Sequence, residues 1–206
     1  MTKKQYFISL AKYSQILFDK LPIELEPKPI SYALNILKPA IDNIKVSQLD
    51  ELYKIRSLDK LATPGNTNSW QGLNSIGMLM DRFTILLIRE WCLINKQKNG
   101  TKAKQIFELQ TLDIIEAMVN AAPGSSALNS KITNIKQSVN ASTWEQAFFG
   151  LLTINLILWE SQEVLYIKDI SKLPCEELRS YIDWFSKGNI IRNEYIQLCE
   201  ELFWSI

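Results

Sequence analysis

The chain has 206 residues, a hydrophobic fraction of 47% and a formal net charge of +1, values that fit a globular domain and argue against a disordered or nucleic-acid-binding chain. It contains no histidine, which excludes Ser-His-Asp and Cys-His nucleophilic sites and the commonest zinc ligand sets. The three cysteines, Cys92, Cys175 and Cys199, are odd in number and have no Cys-x-x-Cys spacing, so we expect a reducing, cytoplasmic environment.

Residues 1–62 are predicted to form the N-terminal helices. Apolar residues at helical spacing predict the first helix over about 4–21. A second helix is predicted over about 30–44, with Pro39 expected to kink or restart it. The sequence Ser-Gln-Leu-Asp that begins at Ser47 resembles a capping box and predicts a separate, shorter helix.

The remaining sequence predicts two helical hairpins. A loop at 63–72 precedes the first hairpin, 73–122, and a polar connector at 123–142 leads to the second, 143–206. In each hairpin an apolar helix comes before an amphipathic one. We therefore treat the 206 residues as a single all-helical domain.

The two apolar helices, over about 76–94 and 147–166, are apolar on nearly every face. A helix with this pattern belongs in the buried centre of a bundle. The near-apolar run at 147–159 is too short to span a bilayer, so no membrane insertion is expected. The predicted fold is all-α: a helical bundle built from two helical hairpins, with the N-terminal helical segment packed on it.

Polar side chains on the apolar helix faces must find buried partners. Asp81, Asn155 and Arg192 each lie on such a face, and we predict that they form one polar cluster inside the bundle. Arg82 and Asn189 are further candidates for this polar core. For Asp81 a structural ion pair is favoured over a role as a cation ligand, because buried charges are usually paired.

A magnesium site is the alternative interpretation of the acidic residues. Glu160 and Glu163 are one helical turn apart and Asp81 could add a third carboxylate from another helix. We favour no cofactor and interpret the two glutamates as a solvated helix end. The lysines around the turn before the second helix of the first hairpin are likewise interpreted as solvated, namely Lys96, Lys98, Lys102 and Lys104.

Three stretches resemble a group of uncharacterised all-helical bacterial proteins that are encoded near surface-polysaccharide glycosyltransferases. They are residues 77–86, beginning Gly-Met-Leu-Met-Asp-Arg, residues 152–163, which contain Asn-Leu-Ile-Leu-Trp-Glu from Asn155, and residues 189–193, beginning Asn-Ile-Ile-Arg, and the resemblance covers about 77–206. This chain keeps Asp81, Asn155, Trp159, Glu163, Asn189 and Arg192 of that pattern but has Met78, Gln162, Tyr166 and Ile190 where the pattern has charged residues. The resemblance therefore implies a retained structural core with a reduced acidic set.

These observations favour a cytosolic, non-catalytic helical interaction or accessory protein, such as a subunit of a larger assembly. A protein partner or a homo-oligomer is expected, and no nucleic acid. No catalytic residue is assigned. The alternative is a magnesium-dependent hydrolase or binder of nucleotides or sugar nucleotides, of the all-helical class. A third hypothesis, an accessory factor for surface-glycan synthesis, follows from the resemblance alone.

Overall fold

A computed structural model of the chain describes residues 2–26, 28–55, 75–96, 100–123 and 138–206. No β-strand occurs among these residues, and the predicted all-α class is confirmed. A π-helical turn lies between the second and third helices, at Ala33–Leu37, and a 3₁₀ turn precedes the last helix, at Ile170–Lys172. The α-helices are α1 (Lys3–Asp19), α2 (Ile30–Tyr32), α3 (Lys38–Ile55), α4 (Ile76–Lys96), α5 (Gly100–Val119), α6 (Trp144–Ile167) and α7 (Cys175–Trp204).

The irregularity predicted at Pro39 takes the form of a π-helical turn. The Lys38 amide donates to the carbonyl of Ala33, five residues earlier instead of four. This wider turn comes directly before Pro39, whose ring has no N–H and would clash with a carbonyl in regular α-helical geometry. The chain therefore stays helical from α2 into α3 while the proline is accommodated.

The prediction that a separate helix starts at Ser47 is wrong, because α3 continues without interruption to Ile55. Ile41, Leu49 and Leu52 are buried on one face of α3, so packing holds this stretch in a single helix. Tertiary packing here overrides the local preference of the capping box for a helix start. The predicted loop at 63–72 and most of the polar connector, 124–137, lie outside the described residues.

The helix contacts follow the two predicted hairpins. α4 packs against α5, α6 packs against α7, and α4 joins the hairpins through contacts with both α6 and α7. α6 is buried along most of its length because α3, α4 and α7 all pack on it. The all-round apolar pattern thus describes α6 well. α4 differs, since Arg82 and Arg89 on its outer side are exposed.

A close approach of two backbones fixes α4 against α7. A Cβ atom added to Gly77 would lie 2.2 Å from the carbonyl oxygen of Ile196, so only glycine fits there. The Gly77 amide also donates to Oε2 of Glu200 at 2.9 Å. These contacts fix the position of α4 along the axis of α7, and therefore which polar residues of the two helices meet.

Within the described ranges, no helix combines the length and the apolar character that a membrane span requires.

Candidate functional site

Asp81 of α4 lies at the centre of a saturated polar cluster between the hairpins. Its Oδ1 accepts from Nε of Arg192 at 2.7 Å and from Nδ2 of Asn155 at 2.9 Å, and its Oδ2 accepts from Nη2 of Arg192 at 2.5 Å. Asn155 also donates to Oγ1 of Thr84 at 2.8 Å. We call these four residues the Asp81 cluster. The structure thus brings together the three residues that were predicted to meet.

The geometry of the Asp81 cluster is that of a structural ion pair. Arg192 approaches Asp81 with two nitrogens, the paired arrangement that makes arginine–carboxylate contacts strong and directional. Hydrogen bonding to Asp81 outweighs burial and raises the pKa of Arg192. Asp81 is 4% exposed and both of its oxygens are occupied by protein donors. Little of this carboxylate is left to bind a metal ion.

Arg82 and Asn189, the other residues proposed for the polar core, lie outside the cluster. Both are exposed, and the Asn189 side chain donates to the carbonyl of Phe185 on its own helix. Arg82 follows Asp81 directly, and successive helical residues point about 100° apart, so the two side chains cannot share one inward direction. The prediction that these two residues belong to the polar core is therefore wrong.

A second polar cluster lies where Lys96, at the C-terminal end of α4, meets α6. Nζ of Lys96 donates to Glu160 at 2.7 Å and to Glu163 at 2.8 Å. The Lys96 side chain is 8% exposed, so the solvated interpretation of this lysine and of the two glutamates is wrong. Trp159 and Cys92 complete this group, which we call the Lys96 cluster.

The electrostatics of the Lys96 cluster differ from those of a solvated pair. Burial raises the pKa of Glu160, although the hydrogen bond from Lys96 acts in the opposite direction. Burial alone would lower the pKa of Lys96, but its hydrogen bonds to Glu160 and Glu163, together with the negative charge of Glu160, outweigh burial and raise that pKa. Two carboxylates thus share one ammonium, with an indole N–H of Trp159 donating to Glu163 at 2.9 Å.

The Lys96 cluster also contains the groups that could hold a cation. One ligand atom each from Cys92, Glu160 and Glu163 lie within 4.8 Å of one another. The Lys96 ammonium already binds both carboxylates and serves as their cation. Asp81, the third carboxylate of the magnesium hypothesis, is held in the other cluster, so the structure does not bring the three proposed metal ligands together.

Neither buried cysteine is poised as a nucleophile. Burial raises the pKa of Cys92 to about 12 and that of Cys199 well above its ordinary value. A thiol with so high a pKa is protonated at neutral pH, and the thiolate is the reactive form.

The exposed surface carries a third feature, a groove between α1 and α5 with α4 at its base. Its cavity volume is about 330 Å³. Ile8 and Leu112 border the groove and are exposed. Leu109 and Ile106 are also exposed and continue from Leu112 at every third residue of α5, outside the groove. We call it the α1/α5 groove; it is lined by Ile8, Ala11, Lys12, Gln15, Leu87, Glu90, Glu108, Thr111, Leu112 and Ile115.

The exposed aliphatic row of α5 was not predicted, although its signal is visible in the sequence. Ile106, Leu109 and Leu112 recur every third residue of α5. They lie on the side opposite to Phe107, Ile115 and Met118, which face the core. A helix with a second apolar row outside its core-facing stripe indicates a surface that contacts something.

A further cleft, of about 440 Å³, lies on the other side of α5 between Arg82, Arg89 and Asp113. Arg89 lies over the ring of Phe107, with its guanidinium carbon 5.2 Å from the ring centroid. Two arginines and one aspartate line this cleft, so its charges do not indicate one class of ligand.

Comparison of the chain with family models, with curated proteins and with solved structures found no match.

Proposed function

We propose that this protein is a non-catalytic helical interaction protein and that the exposed aliphatic row of α5 (Ile106, Leu109 and Leu112), at the edge of the α1/α5 groove, is its contact surface. The observation that carries the proposal is the exposed aliphatic row on α5. Leu109 is 64% exposed, Ile106 49% and Leu112 43%. Contiguous apolar surface of this kind, with polar residues at its edges, is typical of protein-binding sites.

The hydrogen bonds and ion pairs of the buried acidic residues support a non-catalytic role. The Asp81 carboxylate is hydrogen-bonded to Arg192 and Asn155, and Lys96 forms ion pairs with both Glu160 and Glu163. A magnesium-dependent hydrolase needs several carboxylate oxygens that converge on a cation and face a substrate. We therefore propose no resident metal, and the magnesium-dependent hydrolase stays the alternative.

We propose a cytoplasmic location, which the cysteines support. Cys92, Cys175 and Cys199 are all free thiols, and two of them are buried in the bundle. Membership of a larger assembly is consistent with the groove, and the resemblance to proteins encoded near surface-polysaccharide glycosyltransferases makes glycan synthesis one setting for it.

Photo-crosslinking in the cells that produce the protein tests the proposed contact surface. Benzoylphenylalanine in place of Leu109 is expected to form covalent adducts with a protein on irradiation. The same probe in place of Ile182, which is 61% exposed on α7, is the matched control and is expected to give none. Adducts from position 182 alone would contradict the proposed surface, and so would an absence of adducts from position 109 at a comparable expression level.

Hydrolysis assays test the alternative. The purified chain is expected to hydrolyse neither nucleoside triphosphates nor sugar nucleotides in the presence of magnesium. Turnover that Asp81→Asn or Glu160→Gln abolishes, with the fold retained by circular dichroism, would replace the interaction hypothesis by the hydrolase.

A further inference from the structure

Two carboxylates in the α1/α5 groove have no bound cation. Glu90 of α4 and Glu108 of α5 both line the groove, and among the residues that the structure describes neither forms an ion pair or accepts a hydrogen bond. Burial and then the negative charge of Glu108 raise the pKa of Glu90, and the charge of Lys104 acts in the opposite direction. The two carboxylates therefore repel each other, and a cation between them would remove that repulsion.

The lysines near the groove do not supply this cation. Lys12 of α1 lines the groove, but it is exposed and forms no ion pair within the described ranges. Lys104 is exposed as well, and its charge is the weakest of the three influences on the pKa of Glu90. The lining thus has two negative charges and one positive charge, whereas the whole chain has a net charge of +1. A basic group is attracted by the groove and not by the protein as a whole.

A buried hydroxyl in the same groove also lacks a partner. Thr111 lines the groove one helical turn beyond Glu108 and is 8% exposed. Its Oγ1 makes no hydrogen bond in the part of the chain that the structure describes. Buried polar groups are nearly always hydrogen-bonded, because an unmade hydrogen bond costs free energy. This hydroxyl is an observation independent of the two carboxylates, and it indicates a bound group that can hydrogen-bond.

We propose that the α1/α5 groove receives one lysine side chain of a protein partner, whose ammonium lies between Glu90 and Glu108 and hydrogen-bonds to Thr111. This inference rests on the proposed function, because it names the group that the partner of the aliphatic row places beside it. A lysine ammonium has three N–H donors, which match the two carboxylates and the hydroxyl in number. A guanidinium is a flat fork that suits a single carboxylate better.

The rest of the groove suits the stem of a lysine. Ala11, Leu87 and Ile115 are apolar, and a long charged side chain buries its methylene stem along such surface while its head group keeps polar partners. The volume of about 330 Å³ is at the lower end of the range for ligand pockets, roughly 300–1,000 Å³, so one side chain fits better than a cofactor. Leu112 belongs to both the groove and the aliphatic row, so a partner that covers the row can extend a lysine into the groove.

Titration with a lysine-like probe gives the first test. n-Butylammonium, which has the stem and the head group of lysine, is added to the isotope-labelled full chain. We expect saturable NMR shift changes at the amides of Glu90, Glu108 and Thr111 in the millimolar range. n-Butanol lacks the charge and butyrate reverses it, so both are expected to bind at least ~10-fold more weakly. Equal binding of butanol, or no saturable change up to about 50 mM butylammonium, would overturn the inference.

Substitutions separate a binding role from a structural one. Glu90→Gln combined with Glu108→Gln is expected to weaken butylammonium binding at least ~10-fold, because the amides carry no charge. The same double variant should melt at or above the temperature of the wild type, since the repulsion between the two carboxylates is removed. Glu176→Gln, at an exposed residue of α7, is the matched control and is expected to leave binding unchanged. A lower melting temperature with unchanged binding would show that the carboxylates serve the fold and would contradict the site.

Carbodiimide coupling tests the site with the natural partner. The reagent joins a carboxylate to an amine in contact with it. Treatment of the adduct formed from position 109 is therefore expected to link Glu90 or Glu108 to a lysine of the partner, and mass spectrometry identifies the linked peptides. The absence of such links, in an adduct that forms normally, would overturn the inference.

The outcomes separate this inference from the proposed function. We expect the Glu90→Gln, Glu108→Gln variant to form at least ~10-fold fewer adducts from position 109 in cells, with Glu176→Gln unchanged. If the double variant forms adducts as well as the wild type does, the interaction function stands and the lysine site fails. If position 109 forms no adducts in either background, the contact surface fails, and saturable binding of butylammonium would still support an ammonium site in the groove.

Discussion

The Asp81 cluster and the Lys96 cluster both join the two hairpins, yet they balance charge in different ways. In the first, one carboxylate meets one guanidinium, and an amide occupies the remaining position on the carboxylate. In the second, two carboxylates share a single ammonium, and the Glu163 side chain is 24% exposed. In the first cluster both carboxylate oxygens are hydrogen-bonded and the charges cancel. The second cluster retains one negative charge near the surface.

The two charge balances give the clusters different roles in holding the hairpins together. A saturated, buried pair fixes the register of α4 against α7, because any shift of one helix would leave a charge unpaired. A cluster with excess negative charge that is partly hydrated tolerates small shifts and responds to pH. Substitutions in each cluster test this contrast.

Arg192→Leu is expected to have the largest effect, a loss of about 3–5 kcal/mol in the free energy of unfolding. It would leave the Asp81 carboxylate buried with Asn155 as its remaining side-chain donor. Urea denaturation measures the loss. Arg179→Leu, at an exposed position of the same helix, is the control and is expected to stay within about 0.5 kcal/mol of the wild type. Equal stability of the two variants would show that the Asp81 cluster does not hold the helices together.

Lys96→Met is expected to cost less, about 2 kcal/mol, because Glu163 reaches solvent once the ammonium is lost. The loss should shrink as the pH falls from 7 towards 4.5. Without the ammonium the folded-state pKa of Glu160 rises further above its unfolded value, so protonation then favours the folded state.

Denaturation of Lys96→Met at several pH values checks this. Lys187→Met, which removes a surface lysine paired with Asp183, is the matched control and should change stability by less than about 0.5 kcal/mol at each pH. A loss that grew at low pH would contradict the sign given for Glu160.

Glu163→Gln is expected to change stability by less than about 1 kcal/mol. Its main effect should be on Glu160, because the charge of Glu163 is one of the causes that raise the pKa of Glu160. The glutamine keeps an acceptor for Trp159 while removing the second negative charge. Carbon-13 NMR titration of the glutamate carboxyls measures the expected fall, and an unchanged pKa would show that the two carboxylates do not interact.

Magnesium is expected to have the smallest effect, no measurable change in melting temperature at millimolar concentration. Bound at a micromolar site it would add roughly 4 kcal/mol of stability, which is easily seen. Differential scanning fluorimetry with and without magnesium measures this. A clear rise that Asp81→Asn abolished would identify a metal site that includes the Asp81 cluster.

The meeting of Asp81, Asn155 and Arg192 could be predicted because each is a polar residue on an otherwise apolar helix face. Such residues have few ways to avoid an unpaired buried charge. The ion pairs of Lys96 could not be predicted in the same way. It lies at the end of an apolar helix next to a turn, where a lysine is usually solvated, and only the position of α6 shows that two glutamates reach it.

The break predicted at Ser47 shows the limit of local signals. A capping box describes how a helix could begin, but it carries about 1 kcal/mol and cannot outweigh the burial of Ile41, Leu49 and Leu52 on one continuous face. Pro39 was a better signal, because its missing N–H and its ring are constraints that no packing can remove.

The all-α class and the amphipathic or apolar character of each long helix follow from the sequence alone, because helical periodicity is a property of neighbouring residues. The packing of the helices was needed to show which apolar helix is surrounded on all sides, which charged residues pair and which aliphatic row remains exposed. α6 is enclosed because α3, α4 and α7 pack on it, whereas the outer row of α5 has no helix over it in the described chain. Those outcomes depend on contacts between residues far apart in sequence, which no local pattern encodes.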